Sequence, residues 1–195
     1  MNNNKSDIEK CLHYWGKSIP LLKREMNDMY DFFVLLLDTG GRHGEICTLE
    51  WSRINLEERT ISLWRPKVKN ESILFMTDRV YDILCNRFKN KLNQFVFNNR
   101  TGEAKGYTPT TLRKAFKRAG LSDCSAHTLR HTHASRLIQN GLSIYEVKEM
   151  LGHADIRTTM RYAHIEQRSI SIKAREVINR LNKENAKPEL RLINN

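Results

Sequence analysis

An apolar segment near the start of the chain places the strongest constraint on the fold. Within residues 25–38, apolar side chains recur at helical spacing, and Gly40-Gly41 follows directly. Glycine is common just after the last turn of a helix, so the pattern predicts a helix that ends before this pair. The apolar run at 32–37 is far shorter than the ~20 residues that cross a bilayer. We therefore expect a helix inside a globular domain and no membrane partner.

The rest of the chain is predicted to be helical, with one β-prone interruption. Residues 60–63 and 72–76 flank a turn-like Lys69-Asn70-Glu71, which predicts a hairpin or a three-stranded sheet. Helices are predicted at 42–52, after a cap at Thr77 or Asp78, from Pro109 to Gly120, at 128–139, from Ser143 to Gly152, from a cap at Asp155 through Tyr162, and at 171–185. The expected fold class is mainly α with a small antiparallel β-sheet.

The charge balance points to a polyanionic partner. Lys and Arg exceed Asp and Glu by 33 to 22, which gives a net charge of +11. Nucleic acid is the first expectation and an anionic membrane surface is the second. Four cations without an intervening acid share the predicted helix that starts at Pro109, opposite its apolar face. This cluster favours phosphate contact over a merely solvated face, and it consists of Arg113, Lys114, Lys117 and Arg118.

The N-terminus and the cysteines indicate the compartment. Residues 1–10 are polar and lack the apolar stretch of a signal peptide. The four cysteines are widely separated and form no CxxC pair, which favours thiols in a reducing environment over a disulfide framework or a zinc knuckle. We therefore expect a cytoplasmic protein.

Three segments concentrate residues that could act on a phosphate. In TGGRHGEI, Arg42 begins a predicted helix, where backbone N–H groups also attract anions, and Glu45 could hold it in place. In HTLRH, the guanidinium of Arg130 stands beside an imidazole, an arrangement suited to an oxyanion. His127 and His131 are also spaced for zinc, although Arg130 would put a fixed positive charge beside the metal. The third segment joins LGH to a tyrosine nine residues after its histidine.

In chain order the motifs TGGRHGEI, HTLRH, LGH and RYAH resemble the tyrosine recombinase (phage integrase) family, in spacing as well as letters, over about residues 20–180. The resemblance implies the catalytic-domain fold of that family over residues 20–180, with residues 1–19 as a polar leader or the remnant of a linker and 181–195 as a tail. It identifies Tyr162 as the nucleophile. Its catalytic partners would be Arg42, His127, Arg130 and His153, with no cofactor.

The family also uses a lysine on a β-hairpin, and here the match is looser. Aligning the end of the hairpin places Lys67 at that position. Phe75 stands where a proline is common, and Ser72 where an arginine is usual. Lys69 therefore remains an alternative to Lys67.

The resemblance also implies a reaction. Arg42 and Arg130 would neutralise the charge of a phosphodiester, and His153 would bind a non-bridging oxygen. A phenol has an ordinary pKa of ~10, so His127 would act as general base for Tyr162. Each ester is exchanged for another through a 3′-phosphotyrosyl intermediate, so neither ATP nor a metal is expected.

Partners follow by the same analogy. The expected substrate is double-stranded DNA, bound by a homo-tetramer with possible DNA-bending accessory proteins. The helix at 171–185 would dock on a neighbouring protomer or pack on its own domain. Residues 1–20 cannot supply the N-terminal DNA-clamping domain of most members, so we expect a truncated or minimal form. In free protein we expect the tyrosine to be held away from the phosphate.

Three other functions remain open. A non-catalytic DNA-binding regulator with the same fold would have no need of Tyr162. A metal-dependent nuclease would use the histidine cluster, but the paired carboxylates that hard catalytic ions prefer are missing. A topoisomerase or resolvase would share the chemistry and differ in the fate of the cut ends.

Overall fold

The computed structural model describes residues 27–65, 70–99, 101–106, 109–118 and 120–185. Its elements are, in chain order, α1 (Asn27–Thr39), α2 (His43–Cys47), a 3₁₀ turn (Trp51–Arg53), β1 (Ile54–Asn55), β2 (Thr60–Arg65), β3 (Asn70–Phe75), α3 (Asp78–Lys89), α4 (Pro109–Arg118), α5 (Ala126–Gln139), α6 (Ile144–Leu151), α7 (Arg157–Met160) and α8 (Ala163–Asn185). The predicted class, mainly α with a small antiparallel sheet, is confirmed. None of the described helices carries an apolar stretch long enough to cross a membrane.

Helix α1 lies at the centre of the larger core. Phe32, Leu35 and Leu36 on it are completely buried, among apolar side chains of α2, the sheet, α3 and α4. The predicted helix is therefore confirmed over its described residues. Polar contacts at its end join it to α3, because Asp38 accepts hydrogen bonds from both Thr77 and Arg79.

The three strands form one antiparallel sheet in the order β1-β2-β3. Ile61 and Leu74 point into the core from its inner face. The strands are longer than predicted: Glu71 pairs with Trp64, and Asn70 with Arg65. The assignment of Asn70 and Glu71 to a turn was therefore wrong. Glu71 is held in the strand by the hydroxyl of Ser62 and by Arg53, which both donate to its carboxylate.

Helix α2 is much shorter than the predicted helix at 42–52. Its backbone leaves the helix because another segment supplies the hydrogen-bond partners. The carbonyl of Leu49 accepts from Val96 N at 2.9 Å, and Trp51 N donates to the carbonyl of Gln94 at 2.8 Å. These long-range bonds compete with helical ones and end α2 at Cys47.

The boundaries of the other helices follow their local signals. Thr77 caps α3 by accepting from Val80 N, and Ser143 with Glu146 forms the predicted capping box of α6. Gly152 ends α6 in the left-handed conformation, with φ 60°. The predicted position of Tyr162 on a short helix was wrong: α7 ends at Met160, and the tyrosine lies in the turn before α8.

Candidate active site

A cleft of about 840 Å³ opens between the starts of α2, α4 and α5 and the segment that joins α6 to α7. Four side chains singled out in the sequence line it together: Arg42, His127, Arg130 and His153. They come from three separate segments of the chain. Tyr162 is not among the residues that line the cleft.

Arg42 is held by the residue predicted to hold it. One carboxylate oxygen of Glu45 accepts from the Arg42 guanidinium at 2.7 Å, and the other accepts from its backbone N–H at 2.7 Å. The guanidinium also donates to the carbonyl of Gly152 at 3.3 Å. Arg42 thus joins the start of α2 to the end of α6.

The double glycine in front of Arg42 allows a close approach of three segments. Gly40 has φ +61°, and a Cβ placed there would lie 2.6 Å from the ring of His133 and 2.8 Å from a methyl of Leu151. Only glycine fits this backbone and this space. Thr39 closes the turn by accepting from Gly41 N at 3.0 Å.

Arg130 is buried on α5 and bound by main-chain carbonyls. Its guanidinium donates to the carbonyl of Gly40 and, at 2.7 Å, to the carbonyl of Leu151. Both acceptors lie where a helix ends, at the negative end of its dipole, which suits a cation. Arg130 and Arg42 therefore donate to two successive carbonyls, those of Leu151 and Gly152 respectively. Both arginines line the same cleft.

Three histidines line the cleft, and the two singled out in the sequence, His127 and His153, differ in their surroundings. His153 contacts the hydroxyl of Thr159, a fully buried residue of α7, at 2.8 Å from Nδ1. His127, in the first turn of α5, is the more exposed of the two. Partial burial, with the nearby charges of Arg130 and Arg161, lowers the pKa of His127 below its ordinary value. A neutral imidazole is therefore favoured at the cleft, as a proton acceptor requires.

Tyr162 is buried, with 1% of its surface exposed, among the apolar side chains of α5 and α6. Its hydroxyl is hydrogen-bonded to Nδ1 of His131. Burial raises the pKa of Tyr162 to about 12, although the positive charges of Arg161 and Arg130 act to lower it. In this position the phenol is neutral and sequestered.

His131 is the residue whose role the sequence did not show. It was noted there only as a possible zinc ligand with His127, because the two lie one turn apart on a helix. In the structure their rings meet edge to face, with centroids 4.3 Å apart, while His131 contacts Tyr162 on another side. Burial, followed by the charge of His127, lowers the pKa of His131 to about 4. Within the described residues no three His, Cys, Asp or Glu side chains are grouped as metal ligands.

The remaining predicted site residues fall in two groups. Lys67 and Lys69, the alternatives for the hairpin lysine, lie outside the described residues. The four cations of α4 are all exposed, opposite the buried apolar face of that helix. One of them, Arg113, also lines the cleft.

Comparisons with known proteins agree with the motifs. The profile described as the phage integrase family matches residues 5–168. The integrase of Salmonella phage P22 is 29% identical over 157 residues, covering 72% of this chain and 40% of that protein. The tyrosine recombinase XerA of Saccharolobus solfataricus is 33% identical over 132 residues, covering 67% and 44%. The chain thus spans less than half the length of either relative.

Solved structures show the same fold. The catalytic domain of bacteriophage HP1 integrase superposes with a TM-score of 0.55 at 29% identity, over 82% of this chain and 84% of that one. The Tn1549 transposon integrase, in complex with transposon right end DNA, superposes with a TM-score of 0.66 at 19% identity, over 80% and 63%. The arrangement of helices around the small sheet is therefore shared with integrase catalytic domains.

Proposed function

Because the chain belongs to the phage integrase family of tyrosine recombinases, we propose that it is the catalytic part of a site-specific DNA recombinase that cuts and rejoins strands through a 3′-phosphotyrosyl intermediate. One observation carries the proposal: Arg42, His127, Arg130 and His153 converge on a single cleft. A protein that only bound DNA would have no need of this set beside a sequestered tyrosine.

The cleft suits a phosphodiester undergoing substitution. Attack at phosphorus increases the negative charge on the non-bridging oxygens. Arg42 and Arg130 are cations that the fold already holds in place, so little reorganisation is needed when that charge develops. His153, oriented by Thr159, adds a donor for one of these oxygens.

The proposed step exchanges one ester for another. The bond from Tyr162 Oη to phosphorus forms as the bond from phosphorus to the 5′ oxygen breaks. The phenolic proton passes to His127, and Lys67, with Lys69 as the alternative, protonates the departing 5′ oxygen. The chemistry then needs neither ATP nor a metal ion, because the phosphate is neutralised by guanidinium groups and the strand is held covalently.

Cleavage requires Tyr162 to move, since it lies off the cleft lining. It follows the four-residue helix α7, so a shift of this short segment would bring the hydroxyl toward the phosphate. This geometry supports a resting state in free protein that assembly on DNA converts to the active one.

DNA is the proposed partner. The net charge of +11 and the exposed cations of α4 suit a polyphosphate backbone, and the Tn1549 relative is bound to transposon DNA. A mobile element and a cytoplasmic location fit this activity. The catalytic unit would comprise residues 20–180.

Helix α8 supports the proposal that protomers assemble as a tetramer on DNA. From Ser171 to Lys183 every side chain is exposed, including Ile172, Val177 and Ile178. An amphipathic helix that leaves its apolar residues in solvent is suited to a neighbouring protomer. Accessory DNA-bending proteins would then assist the pairing of sites.

The test is covalent capture in the presence of EDTA. A pool of duplexes with randomised sequence around a nick lets the short 5′-hydroxyl fragment diffuse away, so that any phosphotyrosyl adduct is trapped and its DNA can be sequenced. We expect an adduct from the wild type and none from Tyr162→Phe. Tyr145→Phe is the matched control, because Tyr145 is a tyrosine 73% exposed on α6, and it should form the adduct normally.

Each outcome bears on one of the alternatives. Strand cleavage that leaves no adduct and that EDTA abolishes would favour a metal-dependent nuclease. DNA binding by the wild type without any adduct would favour a non-catalytic regulator. Relaxation of supercoiled DNA without exchange of strands would favour a topoisomerase.

A further inference from the structure

The hydroxyl of Tyr162 has a partner for which the proposed reaction has no use. His131 follows Arg130 directly on α5, yet it lies behind the cleft and hydrogen-bonds to Tyr162 through Nδ1. Its other ring nitrogen, Nε2, lies 3.1 Å from Nη1 of Arg161. We call this chain of three side chains the tyrosine clasp; it consists of Arg161, His131 and Tyr162.

The clasp has a defined direction of hydrogen bonding. A guanidinium can only donate, so Nε2 of His131 must accept from Arg161. A neutral imidazole carries one N–H, which must then lie on Nδ1. His131 therefore donates to the oxygen of Tyr162. Since its Nδ1 is already protonated, His131 is not the base that removes the phenolic proton.

The clasp also places the nucleophile at a defined depth. His131 contacts both Tyr162 and His127, and His127 lines the cleft. Tyr162 therefore lies one side chain behind the cleft. His131 and Tyr162 are both neutral near pH 7, so their hydrogen bond is weaker than one that involves an ion, and it is suited to being broken.

Arg161 is the exposed end of the clasp. It directly precedes Tyr162, and its charge acts on His127 in the cleft, so a phosphate bound there would compete for its guanidinium. A charge-assisted bond to phosphate is stronger than a bond to a neutral imidazole. If Arg161 turned to the phosphate, Nε2 of His131 would lose its donor, and the imidazole could take the tautomer that no longer donates to Tyr162.

Building on the proposed function, we propose that His131 and Arg161 are positioning residues that hold Tyr162 behind the cleft, and that a DNA phosphate releases the tyrosine by capturing Arg161. Contact with DNA and exposure of the nucleophile are thereby coupled. The proton balance of the cleavage step is unchanged, because His131 keeps its own proton throughout.

The experiment measures nitration of Tyr162 by tetranitromethane in the intact chain without DNA. Peptide mass spectrometry reports the yield relative to the exposed Tyr145 in the same molecule. We expect His131→Phe to raise relative nitration of Tyr162 by at least about 5-fold, and Arg161→Gln to raise it less, because each shifts the population toward the released state. His131→Asn keeps an N–H donor and should restore protection.

Controls separate the clasp from general loosening. Arg157→Gln alters a neighbouring arginine that is 89% exposed and lies outside the clasp, and it should leave nitration unchanged. A random-sequence duplex should raise nitration of Tyr162 in the wild type but add little in Arg161→Gln. Circular dichroism spectra check that each variant is folded.

The inference is overturned if Tyr162 is nitrated equally in wild type, His131→Phe and Arg161→Gln. It is also overturned if His131→Asn behaves like His131→Phe, because a purely structural role needs no donor. Since the DNA-free measurement requires no cleavage, its result stands even if covalent capture fails and the proposed function is wrong.

Discussion

The two halves of the site are held in different ways. Arg42 and Arg130 are bound to main-chain carbonyls at the ends of α1 and α6, whereas Tyr162 lies in the turn after a four-residue helix and is held by one side chain and apolar contacts. Main-chain partners at helix ends move only if the helices move. Tyr162 instead follows a four-residue helix and is joined to the first turn of α8, where its carbonyl accepts from Ile165 N at 2.9 Å and Glu166 N at 3.2 Å, so it would move with these two short segments. The half proposed to bind phosphate is thus built in advance, and control would be left to the half that holds Tyr162, the proposed nucleophile.

The largest expected effect is on the rate of adduct formation, when Arg130 in the rigidly held half of the site is replaced. A lysine carries the charge but cannot bridge the carbonyls of Gly40 and Leu151 with a planar fork. We expect Arg130→Lys to slow adduct formation about 10²–10³-fold, the range for loss of one preorganised donor. The measurement is the single-turnover rate of covalent capture. A near-normal rate in folded Arg130→Lys would show that the carbonyl contacts do not organise the cleft.

The next effect tests the close approach at Gly40. Alanine there would meet His133 and Leu151 in a backbone conformation that L side chains rarely adopt. We expect Gly40→Ala to lower the free energy of unfolding by about 1–3 kcal/mol, measured by urea denaturation. Gly44→Ala is the matched control, because a Cβ on Gly44 in α2 meets nothing within 4 Å. Equal losses in the two variants would contradict this account of the turn.

A smaller effect is expected at the pair of Arg42 and Glu45, whose side chains are 38% and 11% exposed. The side chain of Arg42 is 38% exposed, so the pair adds little to stability. Glu45→Gln keeps an acceptor for the backbone N–H but loses the charge that orients the guanidinium. We expect unchanged melting and a fall in adduct rate of about 10-fold or less. A loss as large as that of Arg130→Lys would mean that Glu45 does more than orient Arg42.

The smallest expected effect is on the pH dependence of stability, and it tests how the half of the site around Tyr162 is held. The pKa of His131 is lowered from 6.5 to about 4 in the folded state, so between these values the unfolded chain binds more protons. The contribution of neutral His131 to the free energy of unfolding is then fully present above pH 6.5 and is lost as the pH drops toward 4. We expect His131→Phe to lose less stability than the wild type between pH 7 and pH 5 in urea denaturation.

The control for this pH dependence is His164→Asn, which changes an exposed histidine at the start of α8. Its stability should follow the pH dependence of the wild type. Identical pH profiles for wild type and His131→Phe would contradict the burial of a neutral His131 against Tyr162.

Local patterns predicted most of the helical elements. The capping box at Ser143 and the apolar spacing of α1 act between residues a few positions apart, so they can be read from the chain alone. The resemblance of the motifs also identified the four cleft residues that the fold brings together. Predictions went wrong where distant segments competed, as at Leu49, whose carbonyl pairs with Val96 and ends α2 early.

The sequence by itself thus determined the helical class, the caps of α3 and α6 and the chemical types of the site residues, because these depend on neighbours within one or two turns. The predicted cap at Asp155 was wrong, since Ile156 is the N-cap of α7. Only the tertiary structure decided that Arg130 binds the carbonyls of Gly40 and Leu151, and that Tyr162 lies behind the cleft on His131. Those contacts join residues far apart in the chain. Their geometry follows from the way the helices pack, which no local pattern records.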